Sequence, residues 1–126
     1  MTRDLRAATA AIFLACLLAG PAMAGEADVV GVEVRQDGAG RYAFDVTVRH
    51  ADAGWDHYAN AWEVVSVDGK TVYGTRTLLH PHDTEQPFTR ALSGVAIPDG
   101  VEAVVVRARD SVHGFGGKEM TVKIRR

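Results

Sequence analysis

Apolar side chains in this sequence recur at every second position. Tyr42, Phe44, Val46 and Val48 alternate with Arg41, Ala43, Asp45, Thr47 and Arg49, and a period of two marks a strand with one buried face. Val30, Val32 and Val34 repeat the pattern, as do Val104, Val106 and Ala108, and then Met120, Val122 and Ile124. Segments 61–67 and 71–79 are apolar and β-branched but alternate less cleanly. Segment 88–97 changes phase near Ser93-Gly94, where a bulge is expected. No stretch carries the 3.6-residue period of an amphipathic helix.

Seven strands are therefore expected, over 29–36, 41–49, 60–67, 71–79, 88–97, 101–109 and 118–125. Their number and spacing suit an antiparallel β-sandwich of immunoglobulin or fibronectin-III type, with Trp62 in the core between the sheets. Asp68-Gly69 and Pro98-Asp99-Gly100 supply tight turns.

The first 24 residues have a different character. Arg3 and Arg6 precede an apolar run from Ala7 to Leu18, and Ala22-Met23-Ala24 offers a small-x-small cleavage site. This is the pattern of a secretory signal peptide, with cleavage expected after Ala24 and Gly25 as the new terminus. The apolar run is too short for a spanning helix. A lipoprotein cut before Cys16 is the competing reading; it would leave the Ala22-Met23-Ala24 site without a purpose. Cys16 is the one cysteine, so a chain cut after Ala24 has no thiolate metal site, disulfide or cysteine nucleophile.

Such a chain keeps 102 of the 126 residues, a length expected for one domain. Losing Arg3, Arg6 and Asp4 changes the balance from 14 basic and 16 acidic residues to 12 and 15. With no basic patch and no second apolar segment, neither nucleic acid nor a membrane is an expected partner of the processed chain. A monomer is expected.

In an antiparallel meander, successive connections lie at alternate ends. The short turns 37–40, 68–70 and 98–100 then share one end, and the long connections 50–59, 80–87 and 110–117 share the other. All five histidines fall at that second end. His80-Pro81-His82 presents two imidazoles to one side of an extended segment. His57 and His113 would complete a set of nitrogen ligands for zinc(II) or copper(II), with Asp56, Asp83, Glu85 and Asp110 as oxygen ligands or as partners of the ring N–H groups. His50 shares the inward face with Val48, and is expected to be a partly buried, hydrogen-bonded histidine rather than a ligand.

Two other readings use the same loops. The histidines could instead hold the loops together through hydrogen bonds to carbonyls and carboxylates. Alternatively Tyr58 and Phe115 could offer a recognition surface for a protein or glycan in the periplasm, with Trp55 folded inward as a lid. Gly114, Gly116 and Gly117 join two strands and open no helix, so they suit a hairpin or a close backbone approach rather than a phosphate cradle. Catalysis is not expected. Ser111 and His113 lie in no nucleophile elbow, and a domain this small offers little cleft around a carboxylate pair such as Asp56 and Glu85.

The blocks Gly54-Trp55-Asp56-His57-Tyr58-Ala59-Asn60-Ala61-Trp62-Glu63-Val64, Leu78-Leu79-His80-Pro81-His82, Glu85-Gln86-Pro87-Phe88-Thr89-Arg90 and Asp110-Ser111-Val112-His113-Gly114-Phe115-Gly116-Gly117-Lys118-Glu119 resemble a family of small exported proteins of Gram-negative bacteria. That family has no established activity, ligand or site. The resemblance implies a periplasmic location and no particular chemistry.

Overall fold

The computed structural model describes residues 25–126. The expected signal segment 1–24, Cys16 included, lies outside the described residues. Those residues form an all-β structure of eight strands: β1 (Asp28–Gly38), β2 (Arg41–Arg49), β3 (Ala59–Val65), β4 (Val72–Thr77), β5 (Phe88–Ala96), β6 (Ala103–Asp110), β7 (Gly114–Phe115) and β8 (Met120–Lys123). All seven expected strands are present. The eighth, β7, is two residues long and was hidden in the Gly-rich connection, because two residues are too few to show a period.

Every pairing is antiparallel. One sheet has the order β1-β2-β5, and the other has β4-β3-β6-β7 with β8 also paired to β6. The expected phase change in β5 is a bulge: Tyr42 faces Val95 and Phe44 faces Leu92, so Ser93 and Gly94 together stand opposite the single residue Ala43. Gly94 takes φ 69° there, a conformation open to glycine at little cost.

The inner faces of both sheets share one core. Tyr42, Phe44, Val46, Val48 and Phe88 from the first sheet meet Trp62, Val64, Val104, Val106 and Ala108 from the second, all buried. Burying a large apolar side chain contributes about 1.5–3 kcal/mol, so this layer can hold two sheets together without a cross-link. Strand β6 alternates strictly between half-buried and buried positions from Ala103 to Asp110. The next inward position after Ala108 is thus an aspartate. In β2 the inward series Val46, Val48 likewise runs on to His50, which is 3% exposed. Two ionisable side chains therefore cap the core at one end.

The long connections meet at that end, as strand parity requires. The amide of His82 donates to Asp52 Oδ2 (2.7 Å), the amide of Gly54 to Asp83 Oδ1 (3.2 Å) and the amide of Tyr58 to Ser111 Oγ (3.1 Å). Gln86 ties the second loop to the first, accepting from the His50 amide and donating to the His82 carbonyl.

Candidate metal centre

Three side chains from three chain segments converge at this capped end. His50 follows β2, His57 precedes β3 and Asp110 ends β6. One ligand atom from each lies within 4.8 Å of the other two. His50 Nε2 is 3.2 Å from His57 Nε2, and His57 Nε2 is 2.7 Å from Asp110 Oδ2. Tetrahedral zinc with bonds near 2.0–2.1 Å places neighbouring donors about 3.3 Å apart. The His50–His57 edge has that length, and the shorter His57–Asp110 edge is a hydrogen bond that an ion would open.

Asp52 orients the first ligand. Its Oδ1 accepts from His50 Nδ1–H at 2.6 Å and from the Ala59 amide at 3.0 Å, and its Oδ2 accepts from the His82 amide. The Asp52 side chain is fully buried. A carboxylate on Nδ1–H fixes the tautomer that leaves Nε2 with its lone pair, the usual arrangement behind a metal-bound histidine.

Asp110 is also fully buried. Burial opposes its ionisation. The amides of His113 and Val112 and the rings of His113 and His57 outweigh that cost and hold the carboxyl below its ordinary range. All four of these donors use Oδ2. The other oxygen, Oδ1, is buried without a hydrogen-bond partner among the described residues. A buried acceptor left unpaired costs about 1–3 kcal/mol, which a cation would recover.

Proton accounting points the same way. A neutral imidazole has a single N–H, which His50 uses on Asp52 and His57 uses on Asp110. The His50 Nε2 lone pair then meets the His57 N–H at 3.2 Å but also faces the lone pairs of the Gly25 carbonyl oxygen at 3.1 Å. A cation among these acceptors relieves the conflict, and a divalent one balances the two buried carboxylates. The alternative is an imidazolium at His50 that donates to both Asp52 and Gly25.

The four histidines expected as ligands are divided. His57 is in the cluster, and His113 borders it, its Nδ1 being 3.0 Å from Asp110 Oδ2. His80 and His82 form a separate pair with ring centroids 4.6 Å apart. His82 is 5% exposed, stacks on Phe88 at 4.0 Å and has, among the described residues, no hydrogen-bond partner for either ring nitrogen. The extended His-Pro-His segment does present two imidazoles together, but its backbone is tied to Asp52 rather than its rings to His50 and His57.

Among the expected oxygen partners, Asp110 is central. Asp83 caps the Gly54 amide, exposed Glu85 pairs with half-buried Arg90 at 3.1 Å, and Asp56 is exposed. Tyr58 is half-buried against Trp55. Phe115 lies under the guanidinium groups of Arg107 (4.4 Å) and Arg109 (5.6 Å). Trp55 is no lid, since 66% of it is exposed. His50 is buried and hydrogen-bonded, as its inward phase implies, and it also belongs to the cluster, while Asp52 carried no expectation. The available signal was the inward phase of Val46 and Val48 running into an ionisable residue, followed by a carboxylate two positions on.

A depression of about 430 Å³ lined by Ser66, Asp68, Tyr73 and Glu102 lies at the opposite end of the sheets. It is shallow and open, and no cluster of titratable groups comparable to the histidine end lines it.

A protein of the halophilic archaeon Halomicrobium mukohataei named "Putative lipoprotein" is 43% identical over 97 residues. The match covers 77% of this chain and 47% of that protein, so the chain spans about half the length of its relative. The relative is archaeal, and a Gram-negative origin gains no support from it. No family model matches the chain, and no solved structure matches it. Among the described residues, no helix is long and apolar enough to cross a membrane.

Proposed function

We propose that this is an exported, non-enzymatic binding protein that holds a divalent transition metal, zinc(II) or copper(II), on His50, His57 and Asp110. The observation that carries this reading is the convergence of two imidazole nitrogens and a buried carboxylate, with Asp110 Oδ1 unpartnered and Asp52 behind His50. Two imidazoles and a carboxylate are a donor set suited to either metal. Delivery or sequestration of the ion is the role proposed for it. His113 acts through Asp110 as an orienting partner.

The scaffold in this proposal is a single fibronectin-III-like domain. Its fourth strand pairs with the third, whereas a constant-type immunoglobulin domain keeps the fourth strand with the first, second and fifth. Export is supported by the sequence of the leader and by the name of the archaeal relative. The periplasm of a Gram-negative bacterium, with cleavage after Ala24 and a monomeric product, is the finer form of the proposal.

The test is a titration of chelator-treated protein with zinc(II) and copper(II). Stoichiometric binding is expected, and His50→Ala or His57→Ala should each abolish it. His80→Ala should leave it intact. A protein that binds neither ion, and that loses stability on His50→Ala without metal, has a structural imidazolium at His50 instead.

A second reading has its own observation. Trp55, Leu79 and Val112 are 66%, 75% and 58% exposed, one on each of the three loops at this end. Apolar exposure of that kind suits a protein or glycan partner. Binding of such a partner that needs Trp55 and ignores metal would favour it.

A further inference from the structure

Gly25 reaches the candidate metal centre. Its carbonyl oxygen is 3.1 Å from His50 Nε2, on the side where that nitrogen also meets His57. The approach is fixed by the segment that follows. Ala27 is fully buried, the Val29 amide donates to the Lys118 carbonyl at 2.8 Å, and the Lys118 amide donates to Asp28 Oδ1 at 2.8 Å. Gly117 makes room for this contact: a Cβ there would collide with the Ala27 carbonyl. Gly25 is therefore held beside His50 by a clamp two residues along the chain.

A carbonyl oxygen alone is a poor ligand for zinc(II) or copper(II), which prefer nitrogen donors. The amine and carbonyl of one residue are joined through a single Cα, so an ion bound to one can close a small chelate ring with the other. In an uncut chain the nitrogen of Gly25 is an amide, whose lone pair is delocalised into the preceding carbonyl. After the cleavage expected behind Ala24 it becomes a free amine.

We propose that leader removal completes the metal site, with the α-amine and carbonyl of Gly25 joining His50, His57 and Asp110 as ligands. The proposal rests on the metal reading of those three residues. The ion is then captured tightly by the processed chain and only weakly by its precursor, so loading follows export. A ligand already tethered in place acts at high effective concentration, and losing it should weaken binding by about tenfold or more.

The experiment uses three chains: one beginning at Gly25 with a free amine, one with a Ser-Ala extension before Gly25, and a His50→Ala form of the first. Each is titrated with copper(II) against a competing chelator, and nitrogen coordination is read by electron paramagnetic resonance. The expected result is weaker binding by the extended chain, with one fewer nitrogen on the copper. Equal affinity and equal nitrogen coordination in the first two chains would overturn the proposal, while loss of binding in His50→Ala would keep the metal site itself. Copper held by the amine of the first chain, with His50→Ala without effect, overturns both. So does the absence of binding to either of the first two chains.

Discussion

His82 shows how confinement acts on one titratable group. Burial pushes its pKa below the ordinary 6.5, with the charges of Arg90 and His80 adding to the effect and Asp52 and Glu85 opposing it. The folded state therefore favours the neutral ring. Its contribution to stability is fully present above pH 6.5, the unfolded value, and is lost as pH falls through the lower folded value. Asp110 behaves as a depressed carboxyl: its contribution is present above its ordinary 3.8 and is lost only in stronger acid. In chelator-treated protein, the melting temperature should fall between about pH 7.5 and pH 5, and His82→Phe should flatten that fall. Thermal melts of both proteins across this range check it. Equal slopes would mean that the ring is not confined in solution as described.

At the scale of elements, the return from β6 into β7 sets the site. Asp110 and Gly114 are directly paired, as are Arg109 and Phe115, so the chain turns back immediately after the carboxylate and offers it the Val112 and His113 amides. Gly114 takes φ 77° within this return. Past β7 the chain meets the start of β1, where Gly117 lets the Ala27 backbone approach. Gly117→Ala should cost about 1–3 kcal/mol, the usual cost of forcing an extra methyl into a packed position. Urea unfolding measures this directly, and weaker metal binding should accompany it because Gly25 shifts. The glycines of this loop were legible in sequence as a hairpin or a close approach, and the structure shows both. The strand β7 was not legible, since its existence depends on the edge of β6 rather than on any pattern of its own.

Over the whole molecule, the three candidate ligands come from both sides of the sandwich. His50 follows β2 of the sheet of β1, β2 and β5, Asp110 ends β6 of the other sheet, and His57 lies in the loop that leads into β3. An ion bound there would act as a cross-link between the layers, in a set of described residues that contains no cysteine. Metal at a free concentration of 100 times its dissociation constant should add about 2.7 kcal/mol to the unfolding free energy. For a domain of this size that corresponds to a rise in melting temperature of at least about 10 °C. Calorimetry with and without chelator should record it, and His57→Ala should remove it.

The sequence by itself determined seven of the eight strands and the end of the sheets at which the histidines gather. Both follow from local rules: alternation of side chains along a strand, and alternation of connections between ends of a meander. It also carried His50 and Asp110 as inward continuations of β2 and β6. Which imidazoles come within reach of one another was decided only by the tertiary structure. His57 enters from an irregular loop whose path no period describes, and His82 is turned away because Phe88 and Asp52 hold it more closely than the histidines do. Distances between loops depend on how two sheets stack, and that stacking is a property of the assembled core rather than of any segment.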